Sequence, residues 1–272
     1  KVNIKLFRQG PKDIRLNDTK ISQKELIGTL NTVIFCPEDL QLIKGTPSGR
    51  RRFLDMEISQ TSATYYHQLM QYNRLLQQRN AVLKEYRGKQ NIPLEEWDLQ
   101  LADMASFIVK KRLESLKKIN LLIDLMNRKL TGGLENLTIG YEQPYMDNGS
   151  LEFTKEGFYE RIKAALPQDR HRMTTSVGPH RDDLRFFSDA MDLKKFGSQG
   201  QQRTAVLSLK LSELEFIKSE VGEYPVLLLD DVLSELDESR RANLLQFIHK
   251  RIQTFITTTD IHDFKDLKSV QF

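Results

Sequence analysis

The stretch PVLLLDDVLSELD, residues 225–237, decides the fold. It opens with a continuous apolar run, which is typical of a strand covered on both faces of its sheet. Asp230 and Asp231 follow, so we expect both carboxylates at the carboxyl edge of a parallel sheet, where α/β proteins bind ligands. Neighbouring carboxylates disfavour joint ionisation, and Mg²⁺ with a nucleotide phosphate would relieve this repulsion. A solvated strand end or a helix N-cap is the alternative interpretation of the pair.

A second stretch, GSQGQQRT at residues 197–204, leads directly into an amphipathic helical pattern. Its two glycines would let backbone N–H groups approach an anion, and Ser198 offers a short hydroxyl. The start of a helix adds unpaired donors and the positive end of the helix dipole. Alone, such a start more often indicates a plain N-cap. The interval between Ser198 and Asp230 leaves room for one helix, a turn and a strand, which favours a shared role.

The rest of the chain predicts α/β ends around a helical middle. Residues 1–8 alternate as a half-buried strand does, and residues 32–35 predict another strand, closed by Pro37. Apolar residues at helical spacing cover about 51–86 and 95–130. The short connection between these two segments predicts an antiparallel helical arm.

The composition narrows the classes of protein. Forty-one Lys and Arg against 37 Asp and Glu give a formal charge of +4, which permits nucleic-acid contact without arguing for it. The single cysteine, Cys36, excludes an internal disulfide and a cysteine-cluster metal site, and it suits a reducing cytoplasm. No apolar run approaches the ~18–20 residues that span a bilayer. We therefore expect a cytoplasmic protein with no membrane partner.

Together, these stretches resemble motifs of ABC-type ATPases. Residues 198–202 (SQGQQ) are similar to the signature motif, residues 227–231 (LLLDD) to the Walker B strand, and residues 234–237 (SELD) to the D-loop. Residues 37–55 (PEDLQLIKGTPSGRRRFLD) and 178–183 (GPHRDD) resemble blocks of the RecF family, bacterial recombination mediators related to SMC proteins. The resemblance covers essentially the whole chain.

The resemblance implies an α/β fold. It would be a partial ABC-ATPase head, with a P-loop NTPase-like sheet and an inserted, largely helical second lobe that carries the antiparallel arm. Residues 1–44 would form the remaining N-terminal part of lobe I. Residues 45–212 would form lobe II, with the signature motif at 197–203, and residues 213–272 would return to lobe I.

The resemblance also implies an ATP and Mg²⁺ site shared between two subunits. Asp230 would serve Mg²⁺, usually through water, and Asp231 would stand where the catalytic base belongs. Most ABC ATPases have Glu there, and the shorter Asp would suit slow hydrolysis that acts as a timer. The signature residues would bind the γ-phosphate of ATP held by the other subunit; they are Ser198, Gln199, Gly200 and Gln201.

Two further segments receive roles from the resemblance. Ser234 and Asp237, in the D-loop, would cross the dimer interface. Glu38 and Asp39 would belong to a Q-loop-like region that couples nucleotide to lobe rotation. Residues 257–260 contain no His at the position where many ABC ATPases carry a switch histidine.

Membership of the RecF family would imply an ATP-dependent homodimer that binds DNA. It would favour single-strand/duplex junctions and help RecO and RecR load RecA at gaps. The P-loop motif G-x-x-x-x-G-K-[ST] does not occur in the 272 residues, and in the family it lies N-terminal to all the segments present. We therefore expect that the chain lacks its first ATPase segment, does not bind ATP in the family's manner by itself, and is inactive alone.

Two basic clusters are candidates for contact with DNA or ATP phosphates. They are Arg50, Arg51 and Arg52 at the base of the helical lobe, and Lys110, Lys111 and Arg112 on the second long helix. Ion pairs at the helix start, with Glu38, Asp55 or Glu57, are the alternative for the first cluster. A solvated face is the alternative for the second. Arg181 with Asp182 and Asp183 predicts a structural ion-pair turn.

Two rival functions remain open at this point. The first is the nucleotide-binding subunit of another ABC-type ATPase, either SMC-like or from a transporter. A transporter's subunit shares the signature and Walker B strand, but the long helices at 51–130 argue against it. The second is a non-catalytic scaffold that keeps only a dimer or DNA surface. Such a scaffold would not need Ser198, Asp230 and Asp231, so the presence of all three argues against it.

Overall fold

The computed structural model describes residues 1–22, 24–87, 93–133, 135–145 and 153–258, and for residues 234 and 235 the backbone alone. Its strands are β1 Val2–Lys5, β2 Asp13–Leu16, β3 Thr19–Lys20, β4 Thr32–Phe35, β5 Leu137–Glu142, β6 Asp183–Ser188, β7 Met191–Asp192, β8 Val226–Asp230 and β9 Thr254–Thr257. Its α-helices are α1 Gln41–Lys44, α2 Pro47–Thr61, α3 Ala63–Glu85, α4 Glu95–Thr131, α5 Lys155–Ala164, α6 Leu166–Arg172, α7 Leu193–Phe196, α8 Gln199–Val221 and α9 Glu238–Ile248.

A parallel sheet in the order β4-β8-β9 joins the two ends of the chain. Its central strand, β8, is the apolar run before Asp230, and Leu227 and Leu229 are buried in it. On β4, Val33 and Phe35 are buried beside them. Since the strands are parallel, their carboxyl ends lie at one edge of the sheet. The predicted α/β class is confirmed.

The other strands of the described residues form two antiparallel sheets. In one, β1 pairs with β2 and β2 with β3, around a turn at Asn17 and Asp18 in which both residues have positive φ. In the other, β5 pairs with β6 and β6 with β7, and α4 packs against β5. The second sheet therefore belongs to the helical part of the molecule.

The first predicted arm helix is divided in two. The pattern over 51–86 predicts one helix, but α2 ends at Thr61 and α3 begins at Ala63. Between them, Ser62 has extended backbone angles, and its hydroxyl accepts a hydrogen bond from the N–H of Tyr65. This N-cap lets a new helix begin at Ala63 while the apolar residues keep their helical spacing. The spacing alone therefore does not reveal the break.

The second arm helix is continuous. Helix α4 runs for 37 residues and is capped by Gly132 in the left-handed conformation, which glycine adopts without steric cost. It packs against α3, α5 and α8, so it is the central helix of the helical lobe. None of the helices in the described ranges is both long enough and apolar enough to cross a membrane.

The predicted lobe boundaries stay predictions. The boundary between residues 212 and 213 falls within α8, which is unbroken from Gln199 to Val221. One apolar core also connects the parallel sheet, through Val33 and Leu229, with helices of the middle segment.

Candidate functional site

The carboxyl edge of the parallel sheet collects the ends of three strands. Phe35 pairs with Leu229, and Asp230 pairs with Thr257. Asp230 is exposed, and its Oδ1 accepts a hydrogen bond of 2.5 Å from the hydroxyl of Thr257. An exposed carboxylate at such an edge can accept a hydrated cation or orient water.

Asp231 occupies an unusual backbone conformation. Its φ of 50° and ψ of 20° are left-handed, and its N–H donates to the carbonyl of Thr257 at 3.1 Å. Non-glycine residues in this region are uncommon, and such residues concentrate at functional sites. The chain turns sharply between the two aspartates, so the carboxylates can take different roles.

The D-loop-like segment follows as a short 3-10 helix, Val232–Glu235. Asp237 then caps α9, since its side chain accepts a hydrogen bond from the N–H of Arg240 at 2.9 Å. The side chain of Ser234 lies outside the described residues, and so do Thr259 and Asp260 beyond the last strand. The dimer roles implied for Ser234 and Asp237 stay predictions.

The signature-like residues form the exposed start of α8. Ser198 Oγ accepts from the N–H of Gln201 at 3.2 Å, and Gln201 Oε1 accepts from the N–H of Ser198 at 3.0 Å. This capping box fixes the first turn while leaving helix-start donors for an anion. Ser198 and Gln199 are exposed. A Cβ added at Gly200 would meet nothing closer than Ser198 Oγ at 3.9 Å, so the space beside it is open.

Glu135 contacts the signature-like residues, and sequence reasoning missed it. Its Oε1 accepts from Gln201 Nε2 at 3.0 Å, and its Oε2 accepts from the Ser188 hydroxyl at 2.9 Å. Glu135 follows α4, so this contact ties the end of the arm to the tip of α8. No motif marks Glu135, because the pairing spans 66 residues of sequence.

The Q-loop-like segment is tied to the same helix. Asp39 Oδ2 accepts from the N–H of Cys36 at 2.9 Å, and its Oδ1 lies 3.2 Å from Lys210 Nζ on α8. Lys210 also lies 3.3 Å from Glu213. Glu38 is exposed beside this contact. Lys210, which the sequence did not single out, therefore joins the strand exit to the signature helix.

Burial changes the protonation of this ion cluster. It raises the pKa of Glu57 to about 7, and it also raises the pKa of Glu213. Burial acts to lower the pKa of Lys210, but attraction to Glu213 and Asp39 outweighs it, so that pKa is raised. Three carboxylates thus surround one ammonium group, and the raised carboxyl pKa values favour a bound proton in the cluster.

Two of the predicted DNA-contacting arginines are buried structural residues. Arg50 is 3% exposed and holds Asp183 with two hydrogen bonds, of 2.7 and 2.8 Å. Arg112 is 2% exposed and donates to Asp55 and to the carbonyl of Pro179. Carboxylates inside the lobe already bind these two guanidinium groups, so the structure gives both arginines a structural role, and their contact with DNA or ATP phosphates stays a prediction.

The other basic candidates differ in exposure. Arg52 and Lys110 are exposed, so their contact with phosphate stays a prediction. Arg51 is half-buried and donates to the carbonyl of Asp182 at 2.7 Å, while Lys111 pairs with Glu114 at 2.8 Å.

The ion-pair turn predicted for Arg181 is wrong. Its guanidinium donates to the carbonyl of Thr175 rather than to a neighbouring aspartate. Asp182 and Asp183 instead serve Arg112 and Arg50.

Curated proteins of known name are similar over nearly the whole chain, although no family model matches. The DNA replication and repair protein RecF of Alkaliphilus oremlandii is 47% identical over 270 residues, which is 98% of this chain and 73% of that protein. The protein of the same name from Clostridium botulinum strain Eklund 17B is 46% identical over 267 residues, with the same 98% and 73% coverage.

Solved structures that are similar to this chain include two of RecF. A structure of the recombination mediator protein RecF-ATPrS in the RecFOR pathway has a TM-score of 0.86 and 36% identity, covering 96% of this chain and 71% of that one. A second, of RecF-ATP, has a TM-score of 0.84 and 36% identity, covering 93% and 69%. Since the sequence identity, the α/β fold and the two motif stretches at the sheet edge and helix start agree, the chain belongs to the RecF family of DNA replication and repair proteins.

Proposed function

We propose that the protein is an ATP-dependent DNA-binding protein of recombinational repair and replication restart. ATP would bring two copies together, with the start of α8 on each completing the nucleotide site of the other. The dimer would act at single-strand/duplex junctions and help RecO and RecR load RecA at single-strand gaps. The observation that carries this proposal is the exposed, capped helix start at Ser198, in a chain whose solved relatives include RecF with ATP.

The start of α8 fits a nucleotide phosphate. Its first-turn N–H groups and the positive end of the helix dipole favour an anion. The open space beside Gly200 would let a phosphate approach the backbone. Because Ser198 and Gln199 face solvent, this anion could belong to a second copy of the chain.

The edge of the parallel sheet fits part of a magnesium site. Asp230, Asp231 and Thr257 provide the oxygen atoms that Mg²⁺ prefers. Within the described ranges, no group of three or more His, Cys, Asp or Glu residues could hold a metal by itself. Mg²⁺ would therefore keep waters and phosphate oxygens, and when bound it would neutralise phosphate charge. Asp230 would orient one of those waters, and Asp231 would accept a proton from the attacking water.

The experiment compares Ser198→Arg with Thr154→Arg in the protein as its gene encodes it. Thr154 caps α5 as Ser198 caps α8, so both variants lose an N-cap and gain a positive charge. We expect light scattering to show ATP-dependent dimers for the parent and for Thr154→Arg, and monomers for Ser198→Arg. If Ser198→Arg dimerised as the parent does, the helix start would not form the interface.

A further inference from the structure

A cleft of about 460 Å³ opens on the helical lobe, within the size range of small-molecule sites. It is formed by α5, α6, Pro144 and Tyr145 after β5, and the segment that precedes β6. The polar residues of the described ranges that line it are Tyr145, Arg161, Gln168, Arg172, Ser176 and Arg181.

The charge of this cleft is positive. Three arginines line it, and its lining within the described ranges includes no Asp or Glu. Arg172 is exposed, and it has no hydrogen-bond or ion-pair partner in the part of the chain that the structure describes. The guanidinium of Arg181 is oriented by two hydrogen bonds to the carbonyl of Thr175, of 3.1 and 2.7 Å. These contacts position the guanidinium without neutralising it.

Two acids adjacent to the cleft in sequence, Asp169 and Asp182, are turned into the lobe, whereas Glu160 beside Arg161 is exposed. Asp169 is fully buried, accepts from Arg79 at 2.6 Å, and also accepts from the N–H of Ser176 at 2.8 Å. Asp182 is also fully buried and lies 3.4 Å from Arg112. Arg79 and Arg112 thus match these two carboxylates, and Arg172 at the surface is left for an external anion.

We propose that this cleft is a phosphate-binding site through which the protein holds the sugar–phosphate backbone of DNA. The planar guanidinium donates two parallel hydrogen bonds to phosphate oxygens. Ala164, Ala165 and Val177 add apolar surface against which a sugar can pack. The inference rests on the DNA binding proposed above, and it locates contact away from the buried Arg50 and Arg112. An acidic peptide is the other polyanion that arginines could bind, and membership of a DNA-repair family favours DNA.

The test measures DNA binding by Arg172→Ala and Arg172→Glu in the protein as its gene encodes it. Arg8→Ala and Arg8→Glu are the matched controls, since Arg8 is exposed on the loop between β1 and β2. Fluorescence anisotropy measures binding of a labelled duplex with a single-strand overhang, in the presence of ATP and Mg²⁺, over a range of salt concentrations.

We expect Arg172→Glu to weaken DNA binding about tenfold or more. Arg172→Ala should reduce the slope of log affinity against log salt concentration by about one. The Arg8 variants should change affinity less than about twofold, and ATP affinity and melting temperature should stay unchanged in all four.

Four results would overturn the inference. Equal losses at Arg8 and Arg172 would indicate a general charge effect. A loss of binding to ATP, or to a labelled oligoglutamate peptide, with DNA binding intact would assign the cleft to a nucleotide or an acidic partner. Parent-like DNA binding by Arg172→Glu would reject the cleft but not the proposed function. A parent that binds no DNA at any salt would reject both.

Discussion

Two glycines flank Ser198, and only one of them is sterically required. A Cβ at Gly197 would lie 2.6 Å from the carbonyl oxygen of Leu193, whereas a Cβ at Gly200 would meet nothing closer than 3.9 Å. The first glycine therefore lets α7 close against the start of α8. The second leaves open space at the helix tip.

This difference predicts opposite effects of two alanine substitutions. Gly197→Ala should lower the free energy of unfolding by roughly 1–3 kcal/mol, because backbone must move to relieve the overlap. Gly200→Ala should be neutral or stabilising by up to about 1 kcal/mol, since alanine favours a helix. Urea denaturation of the two variants measures both. Similar losses would show that the close approach of Gly197 to Leu193 is not the cause.

On helix α4, neighbouring basic residues have different roles because one side of the helix is buried. Arg112 points at Asp55 and Pro179 inside the lobe, while Lys110 is exposed. Removing the partner of a buried charge leaves that charge uncompensated inside the protein. This lowers the free energy of unfolding far more than the loss of an exposed charged side chain does.

Arg112→Met should therefore lower the free energy of unfolding by about 3–5 kcal/mol, because Asp55 and Asp182 lose their partner. Lys110→Met, on the same helix, should change it by less than about 0.5 kcal/mol. Chemical denaturation provides the measurement. If Arg112→Met instead changed stability little but weakened DNA binding, the predicted contact of Arg112 with DNA would be favoured over the structural role.

The junction of α2, α8 and the segment after β4 should respond to pH. Burial raises the pKa of Glu57 to about 7, above the ~4.3 expected for an unfolded chain. The folded state then binds a proton that the unfolded state releases, so this stability is present below about pH 4 and is lost as the pH rises to 7. Each unit of raised pKa corresponds to roughly 1.4 kcal/mol.

Glu57→Gln replaces the protonated carboxyl with a neutral group of similar shape. The parent should melt at a lower temperature at pH 8 than at pH 5, and the variant should show a smaller difference. Glu96→Gln, at an exposed position on α4, is the control and should keep the parent's difference. Calorimetry at both pH values decides this. An unchanged difference in Glu57→Gln would mean that the titration of Glu57 does not cause the pH dependence.

At the scale of the whole molecule, nucleotide binding in P-loop proteins depends on a glycine-rich loop that holds the phosphates. The 272 residues contain no such P-loop motif. We therefore predict that the 272-residue chain alone does not bind a fluorescent ATP analogue at micromolar concentration with Mg²⁺. Cooperative thermal unfolding of the same sample controls for folding. Tight, Mg²⁺-dependent binding would show that Asp230, Asp231 and the start of α8 suffice.

Local sequence patterns predicted the elements that place the candidate site. An unbroken apolar run before Asp230 indicates a buried strand, and Gly-Ser before a helical pattern indicates a helix start, because both depend on residues close in sequence. The structure has β8 and α8 at these positions. The break at Ser62 was missed, since a serine hydroxyl can cap a new helix without interrupting the apolar spacing.

Burial and long-range pairing were decided only by the tertiary structure. The sequence treats Arg50, Arg112 and Arg172 alike as basic residues, but folding buries the first two against aspartates and leaves the third in an open cleft. The contact of Lys210 with Asp39 likewise joins residues far apart in the chain. Charge at a position is a property of the residue, whereas its partner and its exposure depend on which distant segments pack against it.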